Sequence, residues 1–220
     1  MGDVMKPLAS SPLFVAMIQR VADVPVLGVF VGTLMTVVVQ SSSATIAVLQ
    51  NFASQAGPDG VSSIIGLTGA LPILFGDNIG TTITALLAAI GQSKNAQRTA
   101  LSHSIFNICG TFLFIWFIPQ FAALVQAISP SGPEVEVISR QIANAHTMFN
   151  ITNTLIWIPL LPLMVKIVTT VIKGDDTVEE TNKERLVYID ERLLDQPEFA
   201  MHLVMQEIGR VNMMVGNMMV

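Results

Sequence analysis

Gln40-Ser41-Ser42-Ser43-Ala44-Thr45 lies inside an otherwise apolar stretch from Pro25 to Ala56. All but Ala44 carry a hydroxyl or an amide. In hydrocarbon, each such group left unpaired costs about 2–7 kcal/mol. A chain that keeps them at membrane depth pairs them with one another, with backbone, with water or with a ligand. This run is therefore the first candidate binding site.

The surroundings support a membrane setting. Of 220 residues, 51% are hydrophobic and 12% charged, with a mean hydropathy of +0.61. A soluble domain carries roughly 25% charged residues. Eight charged residues fall between Val24 and Ile172, and thirteen between Lys173 and Glu198. The expected organisation is an interfacial or linker segment over 1–24, a membrane domain over 25–172 and a charged cytoplasmic tail over 173–220. The net charge of −5 sits mostly in that tail and speaks against nucleic-acid binding. A single cysteine, Cys109, excludes a disulfide framework or thiolate metal site within one chain and reads as buried packing. No basic segment followed by an apolar core marks a signal peptide at the start.

The apolar runs predict an all-α, polytopic fold. Leu8 to Val21 reads as an interfacial amphipathic helix. Pro25 to Val39 and Ala44 to Ala56 are each short of the roughly 20 residues of a full crossing. They predict a re-entrant hairpin or one broken crossing, and Gly57-Pro58-Asp59-Gly60 then marks a turn. Val61 to Phe75 and Ile83 to Ile90 flank Gly76-Asp77-Asn78-Ile79-Gly80-Thr81-Thr82, the pattern of a discontinuous transmembrane helix. Gln97 to Ile118 predicts a span ending at Pro119, and Glu134 to Val171 holds the last one. Lys94 and Arg98 place the 91–98 loop in the cytoplasm, and the loop over 119–136, with two acids and no basic residue, outside. Lys166 and Lys173 then return the chain inward.

The polar residues suggest ion chemistry without catalysis. Gln40 to Thr45 offers donors and acceptors without net charge. Backbone amides at broken-helix ends suit an anion, and carbonyl and side-chain oxygens suit Na⁺; plain helix–helix contact is the simpler role of such hydroxyls. In the second run Asp77, Asn78, Thr81 and Thr82 supply oxygens for a cation, or Asp77 caps a helix starting near Ile79. His103-Ser-Ile-Phe-Asn107 recurs as His146-Thr-Met-Phe-Asn150, so two spans present similar His/Asn faces. Those histidines are proton or substrate contacts, or packing groups. Arg98 and Arg140 read as interfacial anchors, and the methionines from Met201 to Met219 as a helix's packing face. No Gly-x-Ser-x-Gly elbow occurs and no acid is placed to orient a histidine, so an enzyme is not expected.

Together, Gln40-Ser41-Ser42-Ser43 and Gly76-Asp77-Asn78-Ile79-Gly80-Thr81-Thr82 resemble the paired motifs of the bacterial sodium-dependent phosphate cotransporters, the type II Na/Pi family. The resemblance covers roughly 5–172. It implies Na⁺-coupled phosphate symport in the cell membrane, with Ser41, Ser42 and Ser43 on phosphate. Gln40, Asp77, Asn78, Thr81 and Thr82 would hold sodium, and Thr45, His103, Asn107, His146 and Asn150 are secondary candidates. Na⁺ is the coupling ion, and neither a further metal nor a cofactor is implied. The family carries the motif in each of two inverted repeats, and this chain carries it once. It is expected to be the second repeat, completed by a missing first repeat or by a second copy. The tail resembles the start of a PhoU-like helical domain. The rival expectation is a membrane-anchored PhoU-like regulator or scaffold without transport activity of its own.

Overall fold

The structure is a computed structural model that describes residues 24–57, 59–174 and 197–218, together with Arg20 and Tyr188. The predicted interfacial helix over 8–21, apart from Arg20, and the PhoU-like strip over 188–197, apart from Tyr188 and Pro197, lie outside the described residues. The chain divides into two units, Met1–Lys173 and Gly174–Val220.

The first unit holds seven α-helices among the described residues: α1 Pro25–Val39, α2 Ser42–Ala53, α3 Gly66–Ala88, α4 Lys94–Phe114, α5 Ile118–Ala127, α6 Glu134–Trp157 and α7 Leu161–Val171. The only β-pairing described is one bridge between Ala56 and Ser63. At 1.5 Å per residue, α3 is about 35 Å long, enough to cross a hydrocarbon core of about 30 Å. The run from Lys94 to Ala127 is also long and apolar enough, and α6 with α7 make a third candidate bent by 84°.

Close packing of α1 on α3 organises this unit. Gly28 faces Pro72, Gly80 faces Thr36, and Gln40 reaches Thr84. The offset is the same at each pair, so the two helices run parallel. The chain must therefore turn back between them, and α1 and α2 form a hairpin about Gln40 and Ser41. The approach is backbone to backbone: a Cβ on Gly32 would stand 2.0 Å from Ile73 O, and one on Gly76 2.0 Å from Val29 O. Small residues permit such contact between apolar helices, where burial from water gives little drive.

That packing corrects the predicted break at 76–82. α3 is continuous from Gly66 to Ala88. Gly76 and Gly80 serve proximity to α1 instead of unwinding. Thr81 and Thr82 remain helical by donating to Asp77 O at 3.0 Å and Ile79 O at 2.7 Å. Asp77 consequently caps nothing; it lies eleven residues from either end of α3.

Further expectations change downstream. Pro119 does not end the span, because the chain passes through a 3-10 turn at Ile115–Phe117 into α5, where proline fits the first turn. The expected outer loop over 119–136 is thus largely helical. The last span breaks before Leu161, near Pro159 and Pro162, and bends. Arg98 does not simply snorkel: its Nε and Nη2 donate to Ile172 O at 3.2 and 3.1 Å, joining the start of α4 to the end of α7. Cys109 is exposed, beside exposed Ile108 and Phe112. The core gathers on Phe75, Phe114, Phe121 and Phe149, whose paired ring centroids lie 5.0–6.1 Å apart.

In the second unit, α8 spans Pro197–Met218. Glu207 is buried, pairs with Arg210 and accepts the Tyr188 amide at 3.0 Å. Met201, Met205 and Met213 are exposed, contrary to the expected packing face.

Candidate functional site

The hairpin tip is built by local chemistry. Gln40 ends α1 in the left-handed region (φ 56°), with its amide bonded to Thr36 O at 2.8 Å. A non-glycine residue held there is strained and needs support. The Gln40 side chain supplies it by donating to Val37 O and accepting from Thr84 Oγ1 at 3.2 Å. Ser41 is then the N-cap of α2, its Oγ accepting the Ala44 amide at 3.3 Å. The carbonyl end of α1 and the amide end of α2 therefore meet at one turn. Such ends carry opposite partial charges, suited to a cation and an anion respectively.

An open depression of about 410 Å³ adjoins this turn, walled by Thr36, Gln40, Ser41, Ser42, Thr81, Thr84, Ala85, Ala88 and His103. It brings together Gln40, Ser41, Ser42, Thr81 and His103 from the sequence-derived candidates. Ser43 is exposed outside this wall, and Thr45 is buried with its hydroxyl donated to Ser41 O at 3.1 Å. Thr82 is buried within α3.

Asp77 and Asn78 point apart. Asp77 is fully buried toward α1, its Oδ1 accepting from Thr36 Oγ1 at 2.6 Å, and its Oδ2 has no partner among the described residues. Asn78 turns toward α6, its Oδ1 3.2 Å from His146 Nε2, while its Nδ2 has no partner among the described residues. The two His/Asn segments share one local feature. Asn107 donates to His103 O at 3.1 Å, and Asn150 donates to His146 O at 2.9 Å. Beyond that they diverge, since His103 faces the depression and His146 is held by Asn78. No group of three or more His, Cys, Asp or Glu that could hold a metal occurs among the described residues.

Two residues of this site escaped the sequence reading, Thr36 and Thr84. Each continues a four-residue spacing, Gly28–Gly32–Thr36–Gln40 on α1 and Pro72–Gly76–Gly80–Thr84 on α3. That stripe was the available signal, because residues four apart share a helix face.

Fold and site together define an all-helical membrane protein with a depression, lined by serine, threonine, glutamine, histidine and alanine residues, beside two tightly packed, glycine-lined helices. Residues 1–131 match the family described as Na⁺/Pi-cotransporter, and the chain belongs to that family. Over 100 residues it is 36% identical to the uncharacterised protein YqeW of Bacillus subtilis, covering 46% of this chain and 30% of that protein. Over 102 residues it is 39% identical to human sodium-dependent phosphate transport protein 2B, covering 44% of this chain and 14% of the human one. The sheep sodium-dependent phosphate transport protein 2A is 40% identical over 91 residues, 40% of this chain and 13% of the sheep protein. The chain thus spans less than a third of the length of these curated relatives. No solved structure matches. The family match ends before α6, so it does not include His146 or Asn150.

Proposed function

We propose that this chain supplies one half of a Na⁺-coupled inorganic phosphate symporter. The observation that carries the proposal is the gathering of Gln40, Ser41, Ser42 and Thr81 around one depression at a meeting of opposite helix ends. Ser41 and Ser42, with the first amides of α2, would bind phosphate oxygens, and Ser43 would act through its backbone. Gln40, Thr81 and Asp77 would serve Na⁺. Asn78, turned toward His146, would support the packing of α3 on α6. The α1–α2 hairpin would be re-entrant, the tail cytoplasmic, and the missing surface supplied by another repeat or by a second copy of the chain.

In proteoliposomes containing the chain as paired copies or together with the complementing repeat, uptake of radiolabelled phosphate should require a Na⁺ gradient. Ser42→Leu should reduce that uptake by about tenfold or more, the loss expected when a charge-assisted hydrogen bond is removed. Unchanged Na⁺-dependent uptake in Ser42→Leu would sink the assignment of the phosphate site.

A further inference from the structure

Two observations meet at Thr36. The first is a buried carboxylate with spare bonding capacity. Asp77 sits midway along α3, fully buried, with Oδ2 unpartnered and Oδ1 accepting from Thr36 alone among the described residues. A carboxylate at membrane depth is costly unless donors or a cation meet it.

The second is that Thr36 belongs to both regions. Thr36 is buried yet lines the depression, and its hydroxyl is 2.6 Å from Asp77 Oδ1. The same oxygen lies 3.0 Å from Gly32 O. A hydroxyl has one proton and two lone pairs. It can donate that proton to Asp77, or donate to Gly32 O and turn lone pairs toward a cation resting on the carboxylate. Close packing holds it in place, since a Cβ on Gly80 would stand 2.6 Å from Thr36 Cβ.

We propose that Thr36 is a ligand of the transported cation, forming with Asp77 an inner station that is entered from the depression beside Gln40 and Ser41. The cation class follows from the donors. Oxygen ligands suit a hard ion, and one carboxylate balances one positive charge. The anion stays at the outer part of the depression, against the start of α2. The inference rests on the symport reading and adds a residue to its cation path.

The test is Na⁺ binding by the purified full chain, measured with radioactive sodium against choline at constant ionic strength. Thr36→Val keeps the shape and removes the oxygen. It should raise the half-saturating Na⁺ concentration about tenfold or more, and Thr36→Ser should restore it to within about threefold of the wild type. Phosphate affinity at saturating Na⁺ should stay within about twofold in both variants, because Ser41 and Ser42 are untouched. A wild-type Na⁺ response in Thr36→Val, or equal losses in Val and Ser, overturns the role of Thr36 and leaves the symport reading standing. A wild-type chain that binds no Na⁺ overturns both. Should Thr36→Val not fold, Thr36→Ala against Thr36→Ser is read by the same criteria.

Discussion

At the residue scale, the same polar side chains satisfy their helix and prepare a site. Gln40 shows the compromise most directly. Its left-handed backbone costs on the order of 1 kcal/mol, which glycine would not incur. Yet only a long amide can reach both Val37 O and Thr84 Oγ1. Gln40→Gly should therefore leave thermal stability equal to or above the wild type while phosphate uptake falls severalfold. Melting and uptake measured on one preparation would separate the two effects, and a joint fall would mean that Gln40 is mainly structural. The amide and hydroxyl composition of this turn was legible in the sequence. The direction in which Asp77 and Asn78 point was not, because neighbours on a helix diverge by about 100° and only the packed partners show what each meets.

At the element scale, glycine and a polar run in an apolar segment usually mark unwinding, so the sequence predicts a break in α3. Glycine serves close approach equally well, and a sequence alone does not reveal which helix lies opposite. Gly76→Ala should push α1 away from α3, since its Cβ would meet Val29 O and the Thr33 amide. The expected loss is about 1–3 kcal/mol, readable as a lowered melting temperature in detergent. Wild-type stability in that variant would contradict the packing described. The turn between α2 and α3 gives a pH test. Ser62's hydroxyl, followed by the Ser62 and Val61 amides, holds exposed Asp59 below its ordinary value of 3.8. A depressed carboxyl contributes stability above its unfolded value and loses it as pH falls through the folded one. Protection of the Ser62 amide, taken relative to its intrinsic exchange rate, should thus fall only below about pH 4, and Asp59→Asn should remove that dependence.

At the scale of the whole first unit, four phenylalanines decide how the helices close. Phe75 comes from α3, Phe114 from α4, Phe121 from α5 and Phe149 from α6. Phe121 lies beyond Pro119, so α5 continues past the proline and returns an aromatic ring to the core. Phe75 touches the other three, and all four rings are buried. Phe75→Ala should cost about 3–5 kcal/mol, measured as loss of the folded monodisperse species in detergent. A change under about 1 kcal/mol would show that the cluster does not bind the helices together.

The sequence by itself determined the membrane setting, the helical class and the polar residue types of the turn at Gln40, and it left a hairpin and a broken crossing both open there. Composition, run length and the cost of burying polar groups are local properties, and they can be read along the chain. Tertiary structure alone decided that α3 stays whole, that Thr36 joins the depression to Asp77, and that Asn78 turns to His146. Those outcomes depend on which helix faces which, and at what distance. Two glycine-lined helices in parallel register bring groups some forty residues apart into hydrogen-bonding range.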